Sequence, residues 1–297
     1  MYDVCVIGHV TKDLINIRGR TREMPGGTAY YAGMTLRSLG LNVAVITKVA
    51  TGDERALLEP LVKSGVRLFV GHSKFTSAFE NIYVSPDRNE RIQKVKAVGD
   101  SFLPEDLGRI QASAFHLGPL TPAEMTPDFI EQLSRLGGLV SLDAQGFTRG
   151  IERQTIVPQD WCLKEQGLAH VDILKVDDSE AAMMSGGQDI KLAAQRLADF
   201  GPAEVIITMG SSGSLIFAHR TFYRIAAVPT ATISDPTGCG DTYVAGYLAH
   251  RLKSNDLDKA GRFAARLASI KLQIFGALTR NRLPAQVLGN WQLPSRQ

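Results

Sequence analysis

Glycines and aspartates that could carry phosphate chemistry are concentrated in the stretch "SDPTGCGDTY" near the C-terminal end of the chain. Gly238 and Gly240 permit positive φ and close backbone approach, and the run "DTYVAGYLAHRLK" that follows has helical apolar spacing. A glycine-rich turn at a helix start presents free N–H groups and the positive end of the helix dipole, which suits a phosphoryl group. Asp241 at this start could accept a proton from a neighbouring hydroxyl. Alone, however, "GxGD" is more often a turn followed by a favourable first-turn aspartate.

The longer string "DPTGCGD" closely resembles the C-terminal signature of the ribokinase/PfkB family of carbohydrate and nucleoside kinases. The resemblance implies an anion hole formed by Gly238, Cys239 and Gly240, with Asp241 as the catalytic base. Cys239 replaces the usual alanine, and we expect it to be a small buried residue that donates its backbone N–H rather than a nucleophile. Asp235 corresponds to a residue close to a monovalent-cation (K⁺) site in potassium-dependent relatives, although it could equally be a turn residue.

A second resemblance lies near the N-terminus and concerns the acceptor substrate. "MPGGTAYYAGMTLRSLG" is similar to the family's N-terminal signature, which implies that Gly26 and Gly27 open a helix beside the acceptor. In "VIGHVTKD", Asp13 matches the aspartate after the first strand and is expected to hold acceptor hydroxyls. Tyr31 stands where many sugar kinases carry asparagine, which argues against a plain ribokinase or fructokinase. Tyr30 and Tyr31 could stack on a nucleobase, pack against a ring's apolar face or lie on the core side of the helix.

The middle of the chain resembles the family's metal and nucleotide segments. "KVDDSEAA" is similar to the N-x-x-E motif, which implies that Asp177 and Glu180 act on Mg²⁺ and phosphate, usually through water. "IITMGSSGSLIF" is similar to the nucleotide-side strand and loop, and the ATP contacts that it implies are Thr208, Gly210, Ser211 and Gly213.

A third segment, "SLDAQGFTR", falls at a strand end where family members commonly carry residues that face the phosphates. Asp143, Gln145 and Arg149 could serve there, with Arg149 supplying positive charge to the transferred group. The "DxQ" form, together with an aromatic residue after the Gly-Gly pair, is loosely similar to the inositol-kinase and uncharacterised sugar-kinase branches of the family.

The pattern of the whole chain predicts an α/β fold. Short β-branched runs such as "DVCVIG", "NVAVITKV" and "EVIITMG" alternate with helical patterns, which is typical of a doubly wound, mainly parallel sheet flanked by helices. The stretches at about 11–25 and 68–98 show two-residue periodicity instead, and we expect them to form a small β lid. Hairpins that extend the main sheet are the alternative. Residues 1–297 are expected to form a single ribokinase-like kinase domain.

Composition excludes several classes of function. A net charge of +3 from 33 basic and 30 acidic residues argues against nucleic acid as the main partner. The three cysteines form no CxxC pair, and His9, His72 and His116 lack metal-ligand spacing. No basic leader or long apolar run is evident, which predicts a cytoplasmic protein without a membrane partner. The absence of GxGxxG after the first strand argues against a nicotinamide-dependent dehydrogenase.

These observations predict an ATP- and Mg²⁺-dependent kinase that phosphorylates a hydroxyl of a small sugar or inositol-like cyclitol. A nucleoside kinase of the same family is one alternative, and a catalytically idle sugar- or nucleotide-binding regulator on the same fold is another. A lid edge could also pair with that of a second subunit to form a homodimer.

Overall fold

The computed structural model describes residues 1–17, 20–83, 91–230 and 232–289, which form two β-sheets and nine α-helices. The strands are β1 (Tyr2–Ile7), β2 (Thr11–Ile17), β3 (Arg20–Gly26), β4 (Val43–Val49), β5 (Arg67–His72), β6 (Ala78–Tyr83), β7 (Arg91–Ala97), β8 (Ala112–Leu117), β9 (Leu139–Asp143), β10 (Arg149–Glu152), β11 (Thr155–Pro158), β12 (Ile173–Asp177), β13 (Glu204–Thr208), β14 (Ser214–Ala218) and β15 (Thr221–Ile225). The helices are α1 (Thr28–Ser38), α2 (Glu54–Ser64), α3 (Pro127–Ser134), α4 (Lys164–Leu168), α5 (Asp178–Ser185), α6 (Ile190–Asp199), α7 (Cys239–Arg251), α8 (Leu257–Leu272) and α9 (Ala285–Gly289).

The large sheet has nine strands in the order β15-β14-β13-β12-β9-β8-β1-β4-β5. Every neighbouring pair from β13 to β5 is parallel, and β14 and β15 are added through antiparallel pairing. From β1 the chain winds outward in both directions, so the strand order reverses between β1 and β8. Ligands of open α/β sheets bind in the crevice at such a reversal, beyond the carboxyl ends of the strands.

Helices cover both faces of the large sheet because its strands are apolar on both sides. In β1, Val4 and Val6 pack with residues of α1, α2, α7 and α8, whereas Cys5 and Ile7 pack with residues of α3, α4, α5 and α6. This two-residue alternation within a continuous apolar run is what a strand buried on both faces requires. The predicted doubly wound α/β fold is therefore confirmed.

The small sheet has six strands in the order β10-β11-β7-β6-β2-β3. The predicted lid boundary at residue 68 was wrong, because β5 pairs in parallel with β4 at the edge of the large sheet. Because β5 is an outer strand, helices cover it only in part. Its residues are exposed or half-buried, so its sequence pattern is like that of a strand in the small sheet. The sequence also did not indicate β10 and β11 as members of this sheet. Residues 18–19 and 84–90 of the predicted lid lie outside the described residues.

No helix among residues 1–17, 20–83, 91–230 and 232–289 combines the length and the apolarity that crossing a membrane requires.

Candidate active site

A cavity of about 220 Å³ lies between the small sheet and the N-terminal turn of α7, beyond the carboxyl ends of the large sheet's strands. The predicted residues that line it are Asp13, Gly27, Tyr31, Asp143, Gln145, Arg149, Gly238, Cys239, Gly240 and Asp241. The predicted residues that are not among its described lining are Gly26, Asp177, Glu180, Thr208, Gly210, Ser211, Gly213 and Asp235. The lining thus brings together residues predicted for the acceptor and for the anion hole, but not those predicted for the metal and the nucleotide.

The turn before α7 depends on Gly238. Its φ of +77° is unfavourable for a side chain, and a Cβ there would lie 2.3 Å from the ring of Tyr31. Helix α7 begins at Cys239, two residues earlier than the sequence suggested, so Asp241 is its third residue. The Cys239 amide donates to the carbonyl oxygen of Pro236 at 3.2 Å, which removes it from the predicted anion hole. The Gly240 and Asp241 amides have no helical carbonyl one turn earlier and are the better donors.

Asp241 is half-buried in the cavity wall, and its surroundings favour the protonated acid. Desolvation and the negative charge of Asp143 raise the pKa of its carboxyl to about 6, against a hydrogen bond from Thr28 and the charges of Lys175 and Arg149. A carboxyl with this pKa is largely ionised at neutral pH and can be reprotonated, which suits a general base. The neighbouring Cys239 thiol has its pKa raised to about 12 by burial and is therefore no thiolate nucleophile.

A buried ion pair, missed in the sequence, lies next to the first turn of α7. Lys175 Nζ on β12 is 3.0 Å from Asp143 Oδ2 on β9, and both side chains are 4% exposed. Burial alone would lower the pKa of Lys175. The negative charges of Asp143, Glu180 and Asp177 outweigh the effect of burial, and the pKa is raised. A Cβ on Gly240 would lie 3.1 Å from Lys175 Nζ, so this charge is within reach of an anion at the helix start. The sequence feature that could have indicated this ion pair is the lysine within the apolar run "DILKVDD".

The end of the cavity predicted to hold the acceptor is built around Asp13. Thr11 Oγ1 donates to Asp13 Oδ1 at 2.7 Å, and a Cβ on Gly26 would lie only 2.3 Å from Asp13 Oδ2. Gly27 has φ +84° at the start of α1, where a Cβ would meet the His9 carbonyl oxygen at 2.3 Å. The Gly-Gly pair therefore lets the first strand's exit pack directly against the start of α1.

Two polar groups in the cavity lining lack a hydrogen-bond partner within the described part of the chain. They are Tyr31 Oη and Asn81 Nδ2, whose side chains are 1% and 0% exposed. Asn81 Oδ1 accepts from Gln93 Nε2 at 3.0 Å, which fixes the amide and leaves its NH₂ group available. Unsatisfied buried polar groups are costly, so such atoms at a cavity are typical of sites that a polar ligand completes.

Comparison with known proteins places this architecture in a family. The model of the pfkB family carbohydrate kinases matches residues 147–284. A cytidine kinase from Thermococcus kodakarensis is 30% identical over 284 residues, which cover 93% of this chain and 98% of that protein. The chain belongs to the pfkB family of carbohydrate kinases. Kinases of this family transfer phosphate to sugar or nucleoside hydroxyls.

Solved structures extend the likeness over nearly the whole pfkB-family chain. A pyrophosphate-dependent kinase of the ribokinase family, in its sulfate complex, has a TM-score of 0.86 at 32% identity and covers 94% of this chain and 98% of its own. The complex of such a kinase with a pyrophosphate analogue and myo-inositol has a TM-score of 0.85 at 31% identity, with the same shares covered. Ribokinase from Arabidopsis thaliana, complexed with ribose and ATP, has a TM-score of 0.75 at 18% identity and shows the fold alone.

The predicted metal residues of this pfkB-family kinase are joined in a helix cap. Asp177 Oδ1 accepts from the Glu180 amide at 2.8 Å, and Glu180 Oε2 accepts from the Asp177 amide at 2.8 Å. Burial and the charges of Asp177 and Asp143, opposed by Lys175, raise the pKa of Glu180 to about 7. One oxygen of each carboxyl stays outside the cap. Among the described residues no group of three His, Cys, Asp or Glu side chains is arranged to hold a metal ion.

The predicted nucleotide loop adjoins this cap. Thr208 at the end of β13 is the register partner of Asp177, and its Oγ1 donates to the Val176 carbonyl oxygen at 3.3 Å. The loop that follows turns at Gly210 and Gly213, which have φ of +53° and +89°. The loop therefore begins at the strand end beside Asp177.

We predict that alanine at Gly238 lowers stability, whereas alanine at Gly240 lowers the rate of turnover. Gly238→Ala should lower the melting temperature by several degrees, because roughly 1–3 kcal/mol of backbone strain adds to the clash with Tyr31. Gly240→Ala should fold normally, since alanine favours a first helical turn, but its methyl group beside Lys175 should lower kcat roughly tenfold or more. Thermal unfolding measures the first effect and steady-state kinetics the second. A Gly240→Ala protein with the parent's kcat would contradict the prediction that this turn is an anion site.

We also predict that Asp241→Asn stabilises the protein above pH 6. The folded-state pKa of about 6 lies above the ordinary aspartate value of 3.8, so this carboxyl's favourable contribution to the free energy of unfolding is complete below pH 3.8 and is lost as pH rises through 6. The difference in unfolding free energy, variant minus parent, should grow between pH 4 and 7 and then level off at roughly 1–3 kcal/mol. Denaturant titrations across this range measure it, and a difference that falls with pH would be inconsistent with an unfavourably buried charge.

Proposed function

We propose that this protein transfers the terminal phosphoryl group of ATP to a hydroxyl of a small cyclitol or sugar. The observation that carries the proposal is the meeting, in one cavity, of Asp241, the free amides of the α7 first turn and the acceptor-side carboxylate of Asp13. A base, an anion site and a hydroxyl-binding group at one cavity are the parts that phosphoryl transfer to an alcohol requires.

In this proposal Asp241 is the general base. Its carboxylate accepts the proton of the acceptor hydroxyl while the hydroxyl oxygen forms a bond to the terminal phosphorus of the donor. The bond between that phosphorus and the bridging oxygen breaks, and the nucleoside diphosphate leaves with the electron pair. The pKa of about 6 keeps Asp241 ionised at pH 7 and still able to take up a proton.

Charge that develops on the transferred group would be met by three sources of positive potential. The Gly240 and Asp241 amides lie at the positive end of the α7 dipole. The Lys175 ammonium lies beside Gly240, and Arg149 lines the same cavity from the small sheet. When bound, Mg²⁺ would neutralise charge on the donor phosphates; Asp177 and Glu180 would hold it through their oxygen atoms.

The lining favours a polyol over a nucleoside as acceptor. The hydroxyls of a polyol could bond to the Asp13 carboxylate, to Asn81 Nδ2 and to Tyr31 Oη, all of which belong to lining residues, whereas a nucleobase needs an open aromatic face. The ring of Tyr31 is packed against Gly238, and Phe79 is packed in a cluster with Val95 and Leu120. Tyr30 and Tyr31 are both buried, with their rings in a T-shaped contact, which supports the core-side alternative over stacking on a nucleobase. The myo-inositol complex of a related kinase also supports a cyclitol.

Pyrophosphate is a second candidate for the donor. The related kinases at 31–32% identity are pyrophosphate-dependent, whereas the relative with bound ATP is only 18% identical. Either donor would present the same terminal phosphoryl group to Gly240 and Asp241. The two donors would differ in their contacts with the loop from Thr208 to Gly213, because only a nucleotide would contact it.

The decisive measurement is a phosphorylation screen with Mg²⁺ that crosses two donors with three acceptor classes. The donors are ATP and pyrophosphate, and the acceptors are myo-inositol, furanose sugars such as ribose and fructose, and cytidine. We expect turnover with myo-inositol or a sugar, and a loss of about a hundredfold or more in kcat for Asp241→Asn. Turnover of cytidine alone would assign the protein as a nucleoside kinase, and an Asp241→Asn variant as fast as the parent would overturn the mechanism.

Asn81→Leu provides a matched control for acceptor recognition. The substitution removes the NH₂ group that has no hydrogen-bond partner among the described residues, together with the oxygen that accepts from Gln93, and leaves Asp241, Lys175 and the α7 turn unchanged. We expect KM for the preferred acceptor to rise roughly tenfold, since one hydrogen bond is lost, with a smaller change in kcat. An unchanged KM for every acceptor would exclude Asn81 from the binding site.

A further inference from the structure

A lysine ammonium is buried directly behind the turn that leads into α7. Lys271, near the end of α8, is 0% exposed. Its Nζ donates to the Asp235 carbonyl oxygen at 2.9 Å, to the Ile274 carbonyl oxygen at 3.1 Å and to Asp235 Oδ2 at 3.4 Å. An ammonium has three N–H donors, so this one is satisfied entirely by oxygen atoms of the protein.

The carboxylate of Asp235 is occupied as fully as its partner. Oδ1 accepts from the Thr237 amide at 2.9 Å, and Oδ2 accepts from the Gly276 amide at 3.1 Å in addition to Lys271. The amides of Ser234 and Asp235 both donate to the Leu272 carbonyl oxygen. The cluster therefore ties the segment before α7 to the end of α8 with the charges at its centre.

This cluster is continuous with the proposed anion site. Asp235 is three residues before Gly238, and the intervening Pro236 accepts the hydrogen bond of the Cys239 amide. The ring of Tyr31 packs against Gly238 and has Lys271 Nζ 5.7 Å from its centroid. Moving the ammonium would therefore disturb both the segment that enters the turn and the ring that supports it.

The arrangement does not fit a monovalent cation at Asp235, which the sequence resemblance raised. The oxygen atoms that such an ion would use, two backbone carbonyls and a carboxylate, are those that contact Lys271 Nζ. A K⁺ ion in their centre would lie in contact with a buried positive charge, which is strongly unfavourable.

We propose that the Lys271 ammonium is a built-in cation that takes the place of a bound monovalent ion and holds the α7 turn in its active geometry. Lys271 is thus a positioning residue, and turnover is independent of K⁺. The kinetic part of this inference rests on the proposed kinase function, whereas the binding part concerns the cluster alone.

The test compares Lys271→Ala with Lys271→Met in NaCl and in KCl of equal concentration. Both substitutions remove the charge and leave Asp235 unpaired, but only alanine leaves space for an ion among the three oxygens. We expect KCl to raise the melting temperature of Lys271→Ala relative to NaCl, and to leave Lys271→Met and the parent unchanged. An equal response of the two variants would overturn the proposal. This readout needs neither donor nor acceptor, so it stands even if the proposed reaction is wrong.

Kinetics with the active donor and acceptor provide the second readout. The parent's kcat should agree within about twofold in KCl, NaCl and tetramethylammonium chloride, because its cation is covalently attached. Lys271→Ala should lose roughly tenfold to a hundredfold in kcat with little change in acceptor KM, and KCl should restore part of this loss. Lys48→Ala is the control, because it removes another buried lysine that is paired with a carboxylate, that of Asp106. KCl should not raise the kcat of this control variant. A parent enzyme stimulated tenfold by K⁺ would overturn the proposal without any variant.

Discussion

Charge buried without solvent must be compensated, and this requirement organises the structure around α7. Asp143 and Asp235 are 3% and 2% exposed, and each is paired with a lysine that is buried to the same degree. One pair joins the neighbouring strands β9 and β12, and the other joins the entry of α7 to the end of α8. Breaking such a pair by removing one partner typically costs about 3–5 kcal/mol, so neither lysine is free to move. The first turn of α7 is thereby fixed from both sides.

The same first turn is fixed sterically by residues far away in sequence. The positive φ of Gly238 admits the ring of Tyr31 from α1, and the missing Cβ of Gly26 admits the carboxylate of Asp13 from β2. Helices α1 and α7 also contact through the hydroxyls of Thr35 and Thr242, 3.4 Å apart. The surroundings of Asp13 and of Gly238 are therefore not independent, because β3 and α1, which are joined at Gly27, contact both of them.

Sequence alone predicts the fold and many of the residues that line the cavity at the α7 turn, but not their electrostatic partners. "DPTGCGD" and the Gly-Gly pair are local signals, since a turn and a helix start are specified by neighbouring residues. Lys175 and Lys271 are paired with carboxylates that are 32 and 36 residues away in the chain. A lysine in an apolar run indicates a buried charge, but the local sequence does not identify its partner. Asn81 and Gln93 were also missed, because they meet across the β6–β7 pair only when the register is known. The misplaced boundary at β5 has a related cause, since an edge strand has the residue pattern of either sheet.

The small sheet has a consequence for how the chain folds. Its strands come from three separate stretches, 11–26, 78–97 and 149–158, and the parallel β2–β6 pair encloses α1, β4, α2 and β5 of the large sheet. Contacts between such distant segments form only after long loops have closed, whereas the β4–α2–β5 unit uses shorter connections. The large sheet also needs such a closure, because Tyr2 of β1 pairs with Ala112 of β8. The cavity between the small sheet and α7 is therefore complete only when the distant pairings of both sheets have formed.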